Sequence, residues 1–114
     1  DMEKIVAQGL LYDFYGELLT EHQRRVYEDV VFNDMSLSEI AEEQGISRQG
    51  VHDLVKRCDK ILSGYEEKLK LVEKFNQTKK MVEEIKGLAG QYKKDGDRSL
   101  IDRIEAISEE IGKL

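Results

Sequence analysis

SLSEIAEEQGISRQGVHDLVKR, running from Ser36 to Arg57, reads as two short helices joined by a tight turn. Ser36 and Glu39 have the form of a capping box. In it the serine hydroxyl accepts from the third helical amide, and the glutamate bonds back to the serine amide. Gly45 falls where the first helix must stop and the chain reverse, a position suited to the left-handed backbone that glycine adopts without steric cost. Ser47 then stands as the cap of the second helix. Two helices crossing this closely need a small residue within the first and apolar residues where they meet. Ala41, Ile40, Ile46, Val51 and Leu54 occupy those offsets, while Gln44 stands where an apolar residue is common. The spacing predicts a helix-turn-helix.

Upstream, Thr20 and Gln23 form another capping box. It opens a helix with Val26, Tyr27, Val30 and Val31 as its apolar stripe, ending near Asn33 and Asp34. Ahead of that, Ile5, Val6, Gly9, Leu10, Leu11, Phe14 and Leu18 recur at helical spacing between Glu3 and Leu19, with Gly16 weakening the last turn. Downstream, Val51, Leu54, Val55, Cys58, Ile61 and Leu62 line one face of the helix that Ser47 starts. These four helices are expected to form one module over residues 2–63.

After Gly64 the chain becomes highly charged, and Leu69, Val72, Phe75, Val82 and Ile85 form a narrow stripe along a long helix, interrupted by Lys79. Gly87, Gly90 and Gly96 are expected to loosen it, and Asp95-Gly96-Asp97 reads as a turn followed by a cap. Leu100, Ile104, Ile107 and Ile111 then define a last amphipathic helix, folded back on the long one. Neither stripe is wide enough for a self-sufficient core. The extension over residues 64–114 is therefore expected to dock on the module or on a second copy. Leu69, Val72, Phe75, Leu100, Ile104 and Ile107 are the candidate oligomerisation residues of a homodimer.

The composition agrees with an all-α chain. Its 114 residues are 37% charged and include no proline and no tryptophan, a bias towards helix formers. The net charge of -6 argues against a general binder of nucleic acid or membrane surfaces, because such binding draws on Lys and Arg. Cys58 is the single cysteine, so no intramolecular disulfide is possible, which fits a reducing, cytoplasmic location. No basic n-region precedes an apolar h-region, and no apolar run approaches a membrane span, so membrane insertion is not expected. Asp1 ahead of Met2 reads as a remnant of expression and stays out of the fold reasoning.

The candidate binding residues are Ser47, Arg48, Gln49, His52, Asp53, Lys56 and Arg57, on the outward face of the second helix of the motif. Arg48, His52 and Lys56 follow one another at i, i+4 and i+8, so they share a side. A recognition helix meets base edges with residues near its N-terminus and phosphates with flanking Arg and Lys. Arg48 suits guanine and Gln49 adenine, while Lys56 and Arg57 suit the backbone. Against DNA, the stretch from Glu21 to Leu62 holds six Lys or Arg and nine Asp or Glu. Glu39, Glu42 and Glu43 on the neighbouring helix and Asp53 on the face itself repel phosphate. A protein or ribonucleoprotein partner is therefore ranked ahead of duplex DNA.

Nothing points to catalysis. The sequence has no phosphate-cradling glycine loop, no metal-ligand cluster and no nucleophile beside a base, so no enzyme activity, cofactor or metal is expected. Cys58 lies on an apolar stripe and reads as a small core hydrophobe. His22 and His52 read as solvated side chains.

Leu18 to Leu62 resembles region four of bacterial sigma factors, which binds promoter DNA. A closer resemblance is to the YlxM-type (UPF0122) family of Gram-positive bacteria and mycoplasmas. It is carried by LYDFYGELLTEHQ (Leu11 to Gln23), by SLSEIAEEQGISRQGVHDLVKR and by YEEKLKL (Tyr65 to Leu71), over roughly the first two-thirds of the chain. The family implies a sigma-region-4-like module and an association with the signal recognition particle, whose protein or RNA components become the expected partners. Gly50 departs from the family pattern, where alanine is usual, at a cost to its helix of about 1 kcal/mol. The chain thus reads as a non-enzymatic adaptor or regulator of that pathway. The alternative is a DNA-binding transcriptional regulator that dimerises through its C-terminal helices.

Overall fold

The structure is a computed structural model describing residues 2–114; Asp1 lies outside them. Among the described residues every regular element is helical, as the composition predicts. The elements are α1 (Met2–Tyr15), a 3-10 turn (Gly16–Leu18), α2 (Glu21–Val31), α3 (Leu37–Gln44), α4 (Arg48–Leu69), α5 (Leu71–Asp95) and α6 (Ser99–Gly112). They group into two compact units, one ending at Val72 and the other running from Glu73 to Leu114.

In the first unit the caps fall where the sequence places them. Thr20 Oγ1 accepts from the Gln23 amide at 3.2 Å, and Gln23 Oε1 accepts from the Thr20 amide at 2.9 Å. Ser36 and Glu39 make the same exchange at 3.1 and 3.0 Å. Gly45 closes α3 with a φ of 67°, and Ser47 Oγ caps α4 by accepting from the Gly50 amide at 2.9 Å. Gly50 has a local reason to lack a side chain. A Cβ there would come within 3.2 Å of Ser47 Oγ, the capping atom itself.

Two apolar clusters hold this unit. Val26, Ile40, Ala41 and Val51 seal α2, α3 and α4 together. Tyr15, Leu19, Tyr27, Val31, Cys58 and Leu62 join the α1 end of the chain to α2 and α4. Each fully buried side chain of this size contributes about 1.5–3 kcal/mol. Cys58 is wholly buried, and burial pushes its thiol up to about 11, as suits a core hydrophobe. Ile46, expected between the motif's helices, is exposed, because it sits in the turn after Gly45 and outside both helices.

α1 buries only part of its expected apolar stripe and adds polar residues to it. Ile5, Val6, Phe14 and Leu18 are exposed, while Gln8, Gly9 and Tyr15 are buried with Leu11 and Tyr12 packed beside them. Polar partners far along the chain explain the choice. Gln8 Nε2 donates to both Asp59 oxygens at 3.0 and 3.2 Å, and the Tyr27 hydroxyl donates to the same carboxylate at 2.5 Å. Buried polar groups are tolerated when they are bonded in this way. Tyr12 stacks on Tyr27 with ring centroids 5.7 Å apart and donates to Glu28.

α4 runs on through Gly64 and ends at Leu69, where Lys70 takes a left-handed φ of 57°. Non-glycine residues seldom adopt that backbone. Here it is held by side chains from α1 and α4. The Tyr15 hydroxyl donates to Glu66 Oε1 at 2.6 Å and accepts from the Leu71 amide at 3.1 Å. Glu66 Oε1 also accepts from the Val72 amide at 2.9 Å. The first amides of a helix lack partners within it, and this pair supplies them.

In the second unit α5 continues unbroken through Gly87 and Gly90, the residues expected to loosen it. Gly96 makes the turn with a φ of 67°. Asp97 Oδ1 then accepts from the Ser99 amide and hydroxyl at 2.9 and 2.8 Å, bonds that hold its carboxyl below the usual range. A groove lined by Gln77, Met81 and Glu84 of α5 and by Glu110, Lys113 and Leu114 shows that α6 returns antiparallel along α5. Leu100 and Ile107 are buried on α6, and Thr78, Met81, Ile85 and Leu88 are half-buried on α5. No helix among the described residues is long and apolar enough to cross a membrane.

Candidate functional site

Burial of Ala41 and Val51 at the joint of α3 and α4 leaves the opposite side of α4 facing outward. Ser47, Arg48, Gln49, His52, Asp53, Lys56 and Arg57 are all exposed, so the structure brings the seven candidates together on one helix surface. Several are already engaged. The Ser47 hydroxyl caps the helix. Gln49 Nε2 donates to Asp53 Oδ1 at 2.9 Å, and His52 Nδ1 lies 3.6 Å from the same oxygen. A glutamine reading a base would have to leave this bond, and the Asp53 carboxylate would remain among the cations.

Two shallow grooves flank the face. One is lined by Leu37, Arg48, Gln49 and His52. The other brings Thr20, His22 and Gln23, at the start of α2, beside Asp53 and Arg57. The sequence reading did not place those three residues at the site. Their capping box marked a helix start, but which helix start lies beside α4 is decided by core packing between distant segments.

The surrounding charge is mixed. On α2, Arg24 and Arg25 alternate with Glu21 and Glu28 along one groove. Arg25 lies 3.6 Å from Glu21. Arg24 Nε donates to the Tyr12 hydroxyl at 3.4 Å, and that hydroxyl donates to Glu28. α2 therefore does not widen the cationic area of α4. Glu39, Glu42 and Glu43 are exposed on α3. The bond from the Ser36 amide holds the Glu39 carboxyl below its usual range, which keeps it anionic.

Among the described residues, no group of three or more His, Cys, Asp or Glu is placed to hold a metal ion. Of the candidate oligomerisation residues, Leu100 and Ile107 are buried, Val72 and Ile104 are half-buried, and Leu69 and Phe75 are exposed. The six do not form one open surface.

A family model, UPF0122, described as "Putative helix-turn-helix protein, YlxM / p13 like", matches residues 2–104. The match runs past the first two-thirds of the chain, through α5 and into α6. The UPF0122 protein YlxM of Bacillus subtilis (strain 168) is 40% identical over 107 residues, covering 93% of this chain and 97% of that protein. A UPF0122 protein of Acetivibrio thermocellus is 42% identical over 114 residues, covering 96% and 97%. One from Caldanaerobacter subterraneus subsp. tengcongensis is 54% identical over 77 residues, covering 68% and 66%. The family description names a structural motif and no reaction.

Proposed function

The chain belongs to the UPF0122 family of helix-turn-helix proteins, and from that premise we propose a non-enzymatic adaptor or regulator acting in the signal recognition particle pathway through the exposed face of α4. The observation that carries this reading is the mixed charge of that face. Arg48, Lys56 and Arg57 share it with Asp53, and Glu39, Glu42 and Glu43 stand exposed on α3. A reader of duplex DNA surrounds its recognition helix with cations. An interleaved surface suits a protein or ribonucleoprotein, the class of partner that the family resemblance implies.

A second reading, a DNA-binding transcriptional regulator, draws on the likeness of Leu18 to Leu62 to sigma region four. It also draws on the exposure of Arg48 and Gln49 in the first turn of α4, where a recognition helix meets base edges. Salt titrations of the full chain against particle RNA, the particle's GTPase subunit and random-sequence duplex DNA separate the two. The adaptor binds particle components; a steep salt slope with duplex DNA alone overturns it. No measurable affinity for nucleic acid overturns the regulator. Replacing Arg48 and Lys56 with alanine should preserve helical content and weaken the true partner by about tenfold, or ~1.4 kcal/mol. Undiminished binding clears this face of any role.

A further inference from the structure

α5 carries more apolar surface than α6 covers. Phe75, Thr78, Val82, Ile85, Ala89 and Tyr92 follow an unbroken three-four repeat along it, the spacing of a coiled-coil seam. α6 occupies one flank of that seam, where Met81 and Leu88 join Thr78 and Ile85 as half-buried residues. On the other flank Phe75 and Val82 remain 41% and 49% exposed, and no residue of α5 is buried.

A row of lysines edges the open flank, with Glu83 beside it. Lys79, Lys86 and Lys93 recur at seven-residue intervals, all exposed, and Lys79 Nζ lies 5.3 Å from the centre of the Phe75 ring. α6 offers the opposite sign. Asp102, Glu105 and Glu109 share its outer face by helical spacing, all exposed, beside Ile101, which is 45% exposed.

We propose that the α5–α6 hairpin pairs with the hairpin of a second copy of this chain, about a twofold axis, to form a four-helix bundle. The open flank of each α5 takes the α6 of the other copy, and the lysine row meets the acidic row. A four-helix bundle gives each helix two neighbours, which matches the two flanks of the α5 seam. A twofold arrangement makes the same contact twice. Charge selects the pairing. α5 laid against another α5 would bring lysines to lysines, while α5 against α6 brings them to carboxylates. The pairing does not depend on what the α4 face binds, so its failure would leave the proposed function untouched.

Sedimentation velocity on the full chain tests it. The wild-type chain should dimerise reversibly at micromolar concentration, more weakly as salt rises. Reversing the lysine row (K79E, K86E and K93E together) should give a monomer, and so should reversing the acidic row (D102K, E105K and E109K). An equimolar mixture of the two should restore a dimer holding one of each, tighter than either variant with itself by at least about a hundredfold, or ~2.8 kcal/mol. If either triple variant loses helical content, Val82→Ser, a change at an exposed position, takes its place and must weaken the dimer. A monomeric wild type, a dimer that survives either reversal, a mixture of helical variants that stays monomeric, or a Val82→Ser chain that associates normally overturns the proposal.

Discussion

The first unit takes Tyr15, Tyr27, Ile40, Val51 and Leu62 almost wholly out of water. In the second, Leu100 and Ile107 are buried on α6, and α5 buries nothing along its 25 residues. The contrast follows from how many directions each unit packs in. α2 and α4 each contribute to both clusters of the first unit. A helix enclosed on several sides can also bury polar groups, as Gln8 and Tyr27 show, because the distant Asp59 supplies their partner. Two helices lying side by side enclose neither one. The first unit thus carries its own stability, and the second draws less from its own side chains.

The largest effect should come from the core of the first unit. Leu62→Ala should cost about 2–5 kcal/mol, read as a lower urea midpoint. Val82→Ala in α5, measured on dilute monomer, should stay within about 0.5 kcal/mol of wild type. Equal losses at the two sites would break the contrast between the units.

A smaller effect is expected in the polar interior. Tyr27→Phe removes a donor from the Asp59 carboxylate and should cost about 1–3 kcal/mol. The same phenol sets an alkaline limit. Burial first, then the bond to Asp59, raises its pKa above the usual 10.0, so the folded state favours the neutral form. Its contribution is complete below that value and is lost as pH rises past it. Stability followed into alkali should decline more steeply in wild type than in Tyr27→Phe, and parallel curves would remove Tyr27 from this role.

The smallest effects sharpen the comparison by having opposite signs. Gly45→Ala forces a side chain onto a left-handed backbone and should cost about 1 kcal/mol. Gly87→Ala, where a Cβ would meet nothing within 4 Å, should stabilise α5 by about 0.8–1 kcal/mol. Thermal midpoints that move together would show that α5 is constrained at Gly87 by something besides its own helix.

The legible parts of this fold are those decided within a few residues. Thr20 with Gln23, Ser36 with Glu39, Gly45 and Ser47 all act on neighbours in the chain, and each is found in the expected place. The outward face of α4 was legible for the same reason, since its complement, Val51, Cys58 and Leu62, follows helical spacing. What the sequence hid depends on distant partners. Gln8 looks like a surface residue until Asp59 stands beside it. Thr20 and His22 lie beside Arg57 only once α2 has packed. Val82 reads as a stripe residue but stays exposed, on the flank of α5 away from α6.

The left-handed Lys70 also shows a helix end that distant parts of the chain decide. From Tyr65 to Lys86 the chain holds neither glycine nor proline, so composition alone does not mark a helix break at Lys70. The interruption is stabilised by the Tyr15 hydroxyl, which reaches this point only when the first helix has docked. The helix end at Lys70 is thus fixed in part by a residue more than fifty positions earlier in the chain.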